Sequence, residues 1–241
     1  VWCKYVPFAC TAEEVAIKNL KKDIPIDLVG VTDNPYRQWI GAAIRSDGFA
    51  FASAGYPEKA ASMAYYDGYL SHRRNGIYGE MFLAAAQSAA FTVSDPIEAI
   101  KIGLTEIPKN CTLYHDIEWA LDQCATVTNY LDARRLVDQR FAGMHQVHTN
   151  NNLCLIVFGL KIGGLDIVKT LSQLIAMGLD NDCTAASAGS IVGAIIGKNA
   201  IPNYLCERFH NTMDTYLLEV EKFQFDDMAK RFMKIAKSIY H

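Results

Sequence analysis

Asp180 and Asp182 stand one residue apart in an otherwise apolar, small-residue stretch, with Cys183 directly behind them. The run that follows, Ala185 to Ile196, is built of Ala, Gly, Ser, Ile and Val, the composition of a closely packed helix. Carboxylates at the mouth of such a helix are costly to bury unless they are paired or bound to a metal, and short-armed oxygen ligands suit a hard divalent cation. The same residues also suit a simple helix start. Asp182, Cys183 and Thr184 can each cap, and negative charge is favoured at a helix N-terminus. The residues alone leave the ligand and the cap readings open.

The elements that must hold this turn are helical. Asp166 to Met177 reads as one helix, Gly178 to Cys183 as a loop, and the small-residue run as a second helix stopped by Lys198, Asn199 and Pro202. Thr11 with Glu14 has the spacing of a capping box for a helix to Lys21 or Lys22. Tyr36 to Ser46 is a helix candidate and Asp47 to Gly55 a loop. Pro57 opens a helix to Leu70, Ser71 to Asn75 is a polar break, and Gly76 to Phe91 forms an Ala-rich helix. Asp95 or Ser94 caps a helix that opens at Pro96 and stops near Gly103 or Ile107. His115 to Gln139 is a long amphipathic stretch, and Asn150 to Leu160 an apolar helix ended by Gly163 and Gly164. The tail, Tyr204 to Tyr240, has helical periodicity. No strand alternation or hairpin signal stands out, so the expected fold is all-α: orthogonally packed helices in a single domain over residues 1–241.

Composition narrows the partners. With 51% hydrophobic and 20% charged residues over 241 positions, the chain has the makings of a substantial core. A net charge of -3, with basic residues no denser than the pairs Arg73-Arg74 and Arg134-Arg135, argues against nucleic acid as the main ligand. No apolar run is long enough to span a bilayer. Seven cysteines, an odd number without a CxxC pair, predict packing residues in a reducing, cytoplasmic setting. His115, Asp116 and Glu118 read as caps and solvated residues.

The segment Gly178-Leu179-Asp180-Asn181-Asp182-Cys183-Thr184-Ala185-Ala186 resembles the C-terminal signature of the ADP-ribosylglycohydrolase family, typically Gly-Gly-Asp-Thr-Asp-Thr followed by an Ala/Gly-rich helix. Trp39-Ile40-Gly41-Ala42-Ala43-Ile44-Arg45 resembles that family's Gly-Asn-Gly-x-x-Met-Arg segment. Gly55 to Ala61, Ser71-His72, Gly76-Ile77-Tyr78-Gly79 and Val147 to Asn152 are also similar, in the same order, so the likeness runs from about Thr32 to Lys198. Three departures stand out. The family's early Thr-Asp-Asp motif has no counterpart better than Thr32-Asp33-Asn34, and its N-terminal glutamate has none in recognisable context. Cys183 replaces a threonine, and Trp39-Ile40 replaces the glycine-asparagine pair. The first departure gives the expectation that the chain begins inside the family domain.

The resemblance implies a compact all-α fold and a dinuclear Mg²⁺ or Mn²⁺ centre. It implies metal-dependent hydrolysis of the glycosidic bond in an ADP-ribosylated protein or a related ADP-ribose conjugate. Asp180 and Asp182 would be ligands and Cys183 a third one, although a thiol is softer than magnesium prefers. Donors to phosphate and ribose would come from Asp47-Gly48 and from Asn75, Gly76, Tyr78 and Gly79 at a helix start. Each of these also reads as a turn or a close packing contact. His72 and His148 would contact ribose or phosphate or else cap helices, Arg45 would bind phosphate or form an internal ion pair, and Tyr78 or Phe49 would stack on adenine. On this reading the acid pair shares one cleft with His72 and Gly76 to Gly79. Two rival readings are a degenerate ADP-ribose-binding or structural protein and a hydrolase of another nucleoside-like substrate.

Overall fold

The middle of the molecule is a helix with no solvent face. In the computed structural model, which describes residues 1–240, every residue from Thr149 to Leu160 is buried. A helix apolar on all sides must be wrapped by others. The wrapping begins with α1 (Trp2–Tyr5), α2 (Thr11–Leu20) and α3 (Ile26–Val29), then a 3₁₀ turn at Ala43–Arg45 and α4 (Asp47–Ala52). It continues with α5 (Pro57–Ser71), α6 (Asn75–Ala89), α7 (Pro96–Thr105), α8 (Thr112–Gln123) and α9 (Tyr130–Arg140). The central helix is α10 (Thr149–Gly163), followed by α11 (Ile167–Met177) and α12 (Asn181–Ile196). A short α13 (Asn203–Cys206) leads to a hairpin, β1 (Thr212–Leu217) and β2 (Val220–Gln224), and to α14 (Phe225–Ile239).

Local sequence explains most of these elements. Pro57 and Pro96 each open a helix, and the Asp95 side chain accepts from the N–H of Ile97 at 2.9 Å. Asp166 caps α11 through the N–H of Lys169. Small residues set how closely the helices pack. Ala60, Ala61 and Ala64 on α5 are buried, as are Ala84, Ala85 and Ala86 on α6, where the two helices lie together. On α10, Gly159 lies directly under the fully buried Leu174 of α11, with no space for a further carbon.

Four expectations about elements change. Tyr36–Ser46 is not a helix beyond the 3₁₀ turn, because its backbone groups bond elsewhere. The N–H of Ile40 donates to the carbonyl of Val147 at 3.0 Å, and Trp39 pairs with His148 as an antiparallel bridge. Trp39 also stacks on His145 with ring centroids 4.2 Å apart. Asp47–Ala52 is a helix, not a loop, since α4 packs on α6 and receives α14 through the Phe51–Phe232 edge contact. No capping box forms at Thr11, which has φ +48° and leaves Cys10 as an N-cap without a side-chain bond. Glu14 pairs with Lys18 instead.

The tail is not helical throughout. Thr212 to Gln224 is an antiparallel hairpin, with Met213 opposite Phe223 and Glu219 at φ +67° in its turn. The turn contains Leu218 and Glu219 where a glycine or asparagine would have signalled it. The amphipathic stretch from His115 is divided into α8 and α9 at residues 124–129. All seven cysteines are free. Cys124, Cys154 and Cys183 are buried as packing residues, whereas Cys3, Cys10 and Cys206 are exposed. Among the described residues no helix is long and apolar enough to cross a membrane.

Gly159→Ala tests the closest of these contacts. The added methyl must displace the Leu174 side chain, and overpacking of this kind costs about 1–3 kcal/mol. Thermal unfolding of the variant is expected several degrees below the wild type.

Candidate metal and ligand site

The turn between α11 and α12 is bent by two successive residues in the left-handed region, Gly178 (φ +71°) and Leu179 (φ +61°). Glycine takes this conformation freely, but a leucine there costs of order 1 kcal/mol. The turn is held from three sides. Arg134 donates to the carbonyl of Met177 at 2.7 Å, and the N–H of Asp180 donates to the Asn152 Oδ1 of α10 at 3.1 Å. The carbonyl of Asp180 accepts from the N–H of Thr184 at 3.1 Å, starting α12. Helix α12 therefore begins at Asn181, and Asp182 and Cys183 lie in its first turn, not in a loop.

One donor atom from each of Asp180, Asp182 and Cys183 lies within 4.8 Å of the others. Asp182 is exposed, Asp180 half-buried and Cys183 buried. Burial pushes the Asp180 carboxyl up to about 6, with the hydrogen bond and the charge of Asp182 adding to the rise and the Cys183 thiol opposing it. Burial, then Asp180 and Asp182, push the Cys183 thiol far above its ordinary range. A carboxyl that resists ionisation beside a second carboxylate suits a divalent cation, which would favour its charged form. A thiol held protonated is a poor hard-metal ligand. The donor set therefore fits a cation through the two aspartates, with Cys183 contributing packing.

Beside this turn lies a second charged group. Arg45, from the 3₁₀ turn, donates Nε to Asp67 at 2.5 Å, Nη1 to Glu13 and to the carbonyl of Gly41, and Nη2 to Ser71 Oγ at 3.0 Å. The Trp2 ring covers it at 5.0 Å. Burial works against the charge on Arg45, but the acids around it, Asp67 and Glu13 among them, outweigh it and raise its pKa. Of the two roles open to Arg45, the structure gives it the internal ion pair. Glu80 is fully buried in α6 beside Asp67, and burial holds its carboxyl well above the ordinary range. Neither oxygen of Glu80 makes a well-formed hydrogen bond, and burial beside Asp67 favours its neutral form.

Glu13 joins the two groups. Its Oε1 is 3.9 Å from His72 Nδ1, and its charge reaches the Cys183 thiol. His72 has no exposed surface. Burial, then Arg45, lower its pKa to about 3, against the carbonyl of Trp39. The ring packs on Gly76, which is wedged against the carbonyl of Arg37. Gly79 abuts Thr149, and the N–H groups of Gly76 and Tyr78 already bond to the carbonyls of Arg73 and Arg74. The packing reading accounts for these positions. Asn75 joins elements too, donating to Gln38 and accepting from the N–H of Leu113.

His148 caps α10 through the N–H of Asn150 and sits in the bridge with Trp39. Asp47 accepts from Gln87 at 2.5 Å and bonds with Ser190 of α12. Burial raises it to about 6 against both of those bonds. Gly48 has open space around its Cα. Tyr78 packs against the main core, and Phe49 against the Ala60–Ala64–Ala84 cluster.

Sequence reasoning missed Glu13, Asp67, Ser71, Glu80 and Asn152. Glu80 carried a signal, a lone carboxylate in an apolar helix; the others become visible only in three dimensions. Asp116 is a correction. It is buried, held by Arg140 at 2.7 Å and by Asn150 at 2.7 Å, and so is not a solvated residue.

An all-α domain with an acid turn at the head of a small-residue helix is the class this geometry defines. The family model for ADP-ribosylglycohydrolase matches residues 10–238, and the chain belongs to that family. The match extends beyond Thr32–Lys198 on both sides, taking in α2, the hairpin and most of α14. No curated protein and no solved structure matched the chain significantly.

Two buried acids set a pH dependence. A carboxyl whose folded pKa lies above its unfolded value contributes stability that is complete below the unfolded pKa and is lost as pH rises through the folded one. For Asp47 that window runs from 3.8 to about 6. Asp47→Asn should remove about 1–3 kcal/mol of the fall in stability across it. Glu80→Gln, which keeps the shape of the neutral side chain and cannot ionise, should match or exceed wild-type stability at pH 7 and gain further as pH rises. Denaturant unfolding at pH 4, 6 and 8 reads both; a wild-type-like slope in either variant contradicts the assignment for that residue.

Proposed function

We propose that this chain hydrolyses the glycosidic bond at the ribose C1 of an ADP-ribosylated protein or a related ADP-ribose conjugate, with a divalent cation held by Asp180 and Asp182. The reading is carried by the convergence of the two carboxylates at the head of α12, within a chain of this family. Mg²⁺ or Mn²⁺ bound there would supply ribose-hydroxyl coordination and a polarised water.

The chain's own groups do the rest. Asp180 and Asp182 put fixed negative charge beside the carbon where positive charge develops as the leaving group departs. Helix α12 starts at these residues, so its N-terminus holds them in place. His72 is neutral at working pH and serves as a hydrogen-bond donor to ribose or phosphate, not as a proton shuttle. Arg45, committed to Glu13 and Asp67, shapes the wall of the site. Asp47-Gly48 and His148 remain candidate ligand contacts at its edge.

A second reading, an ADP-ribose-binding protein without turnover, is favoured by one observation: the third converging donor is a protonated thiol. Calorimetric titration of metal-free protein with Mg²⁺ and Mn²⁺, with and without ADP-ribose, separates the two. Hydrolysis predicts cation binding that is abolished in Asp180→Ala and Asp182→Ala, together with ADP-ribose binding that depends on the cation. Cys183→Thr, which restores a hard oxygen, should tighten Mg²⁺ binding by roughly 10-fold, the scale on which neighbouring groups tune metal sites. ADP-ribose binding with no cation response would leave only the recognition module.

A further inference from the structure

His72 is a fully buried imidazole whose two nitrogens face different chemistry. Nδ1 lies 2.8 Å from Ser71 Oγ. On the other side of that hydroxyl, Arg45 Nη2 is 3.0 Å away. A guanidinium can only donate, so Ser71 Oγ accepts from Arg45. The one proton of the hydroxyl must then find an acceptor, and among the hydrogen bonds of the described residues His72 Nδ1 is the acceptor within reach. This makes Nδ1 the unprotonated nitrogen.

The other ring nitrogen, Nε2, is buried and makes no hydrogen bond, so nothing on that side competes for the tautomer. The alternative tautomer would leave the Ser71 hydroxyl proton without a partner, a costly fault at a buried position.

We propose that Arg45 and Ser71 are positioning residues that fix His72 as the Nε2–H tautomer, keeping one unused N–H donor for an acceptor atom of the ligand. The arrangement is directional. Glu13 and Asp67 orient the guanidinium, the guanidinium orients the hydroxyl, and the hydroxyl selects the tautomer. Use of the donor on a ribose or phosphate oxygen rests on the reading of the site as an ADP-ribose site. The tautomer does not.

The test is two-bond ¹H–¹⁵N correlation of the histidine rings in ligand-free protein, with His72 assigned by the signals lost in His72→Gln. The expected pattern is a pyridine-type Nδ1 and a pyrrole-type Nε2, unchanged from pH 5 to pH 8. Ser71→Ala should mix or invert the two signals, Ser71→Thr should preserve them, and Arg45→Lys should weaken the preference. A pyrrole-type Nδ1 in the wild type, or an unchanged pattern in a folded Ser71→Ala, overturns the proposal. If Ser71→Ala does not fold, the wild-type pattern and Arg45→Lys decide it. With the expected tautomer in place, a protein that shows no hydrolysis counts against the enzymatic reading alone. With ADP-ribose bound, an unmoved Nε2 signal overturns the donor's role toward the ligand.

Discussion

The site depends on one guanidinium. Arg45 is the point where α2, the 3₁₀ turn, α5 and, through Asp67 and Glu80, α6 meet. Each contact has a separate origin in the chain, and no local pattern joins them. Taking one carboxylate away would leave a partly buried charge without compensation, which is why such clusters act as constraints on geometry more than as sources of stability. Three acids around one base would carry surplus negative charge if all were ionised. The protonation of Glu80 reduces that surplus, and it does so from inside an apolar helix where an ionised carboxylate could not persist.

The acid turn follows a different logic. Its carboxylates sit where a helix dipole favours them, yet burial and mutual repulsion still raise Asp180. The turn also contains a leucine in the left-handed region. Backbone of this kind persists only when the surroundings over-determine it. Here the surroundings are Arg134 on the carbonyl of Met177, Asn152 on the N–H of Asp180, and the first turn of α12. Backbone strain at Leu179, a raised Asp180 carboxyl and the convergence of Asp180 with Asp182 therefore fall within four consecutive residues. A cation addresses two of these together, since it favours ionised carboxylates and rewards their convergence.

Elements whose bonds are local were legible in the sequence. The Pro57 and Pro96 helix starts, the cap ahead of Pro96, and α6, α10, α11 and α12 follow from capping chemistry and apolar periodicity. The acid turn was legible because two charges in an apolar segment stand out. Where backbone groups bond to distant partners, the same reasoning failed. Tyr36–Ser46 carries a helix-like pattern, but Ile40 bonds to Val147, over a hundred residues away. The tail hairpin turns without a glycine, and its strands are too exposed to print a clean alternation. Glu13 looked like the first turn of a capped helix, and nothing in its neighbourhood announces Arg45.

The two parts of the site are also tied through the central helix. Three consecutive asparagines head α10, all buried, which is an expensive composition unless each amide is used. Asn150 donates to Asp116 and Asn151 to the carbonyl of His145. Asn152 accepts from the N–H of Asp180 and donates to the carbonyls of Gln146 and His148. His148 pairs with Trp39, and the carbonyl of Trp39 lies beside His72. The acid turn and the histidine are therefore referenced to the same rigid helix end, one through a side-chain amide and the other through a main-chain bridge. That arrangement explains why polar residues occupy the most buried helix in the molecule. An apolar head on α10 would pack equally well, but it would leave the N–H of Asp180 and the carbonyl of His148 with nothing to fix them relative to each other.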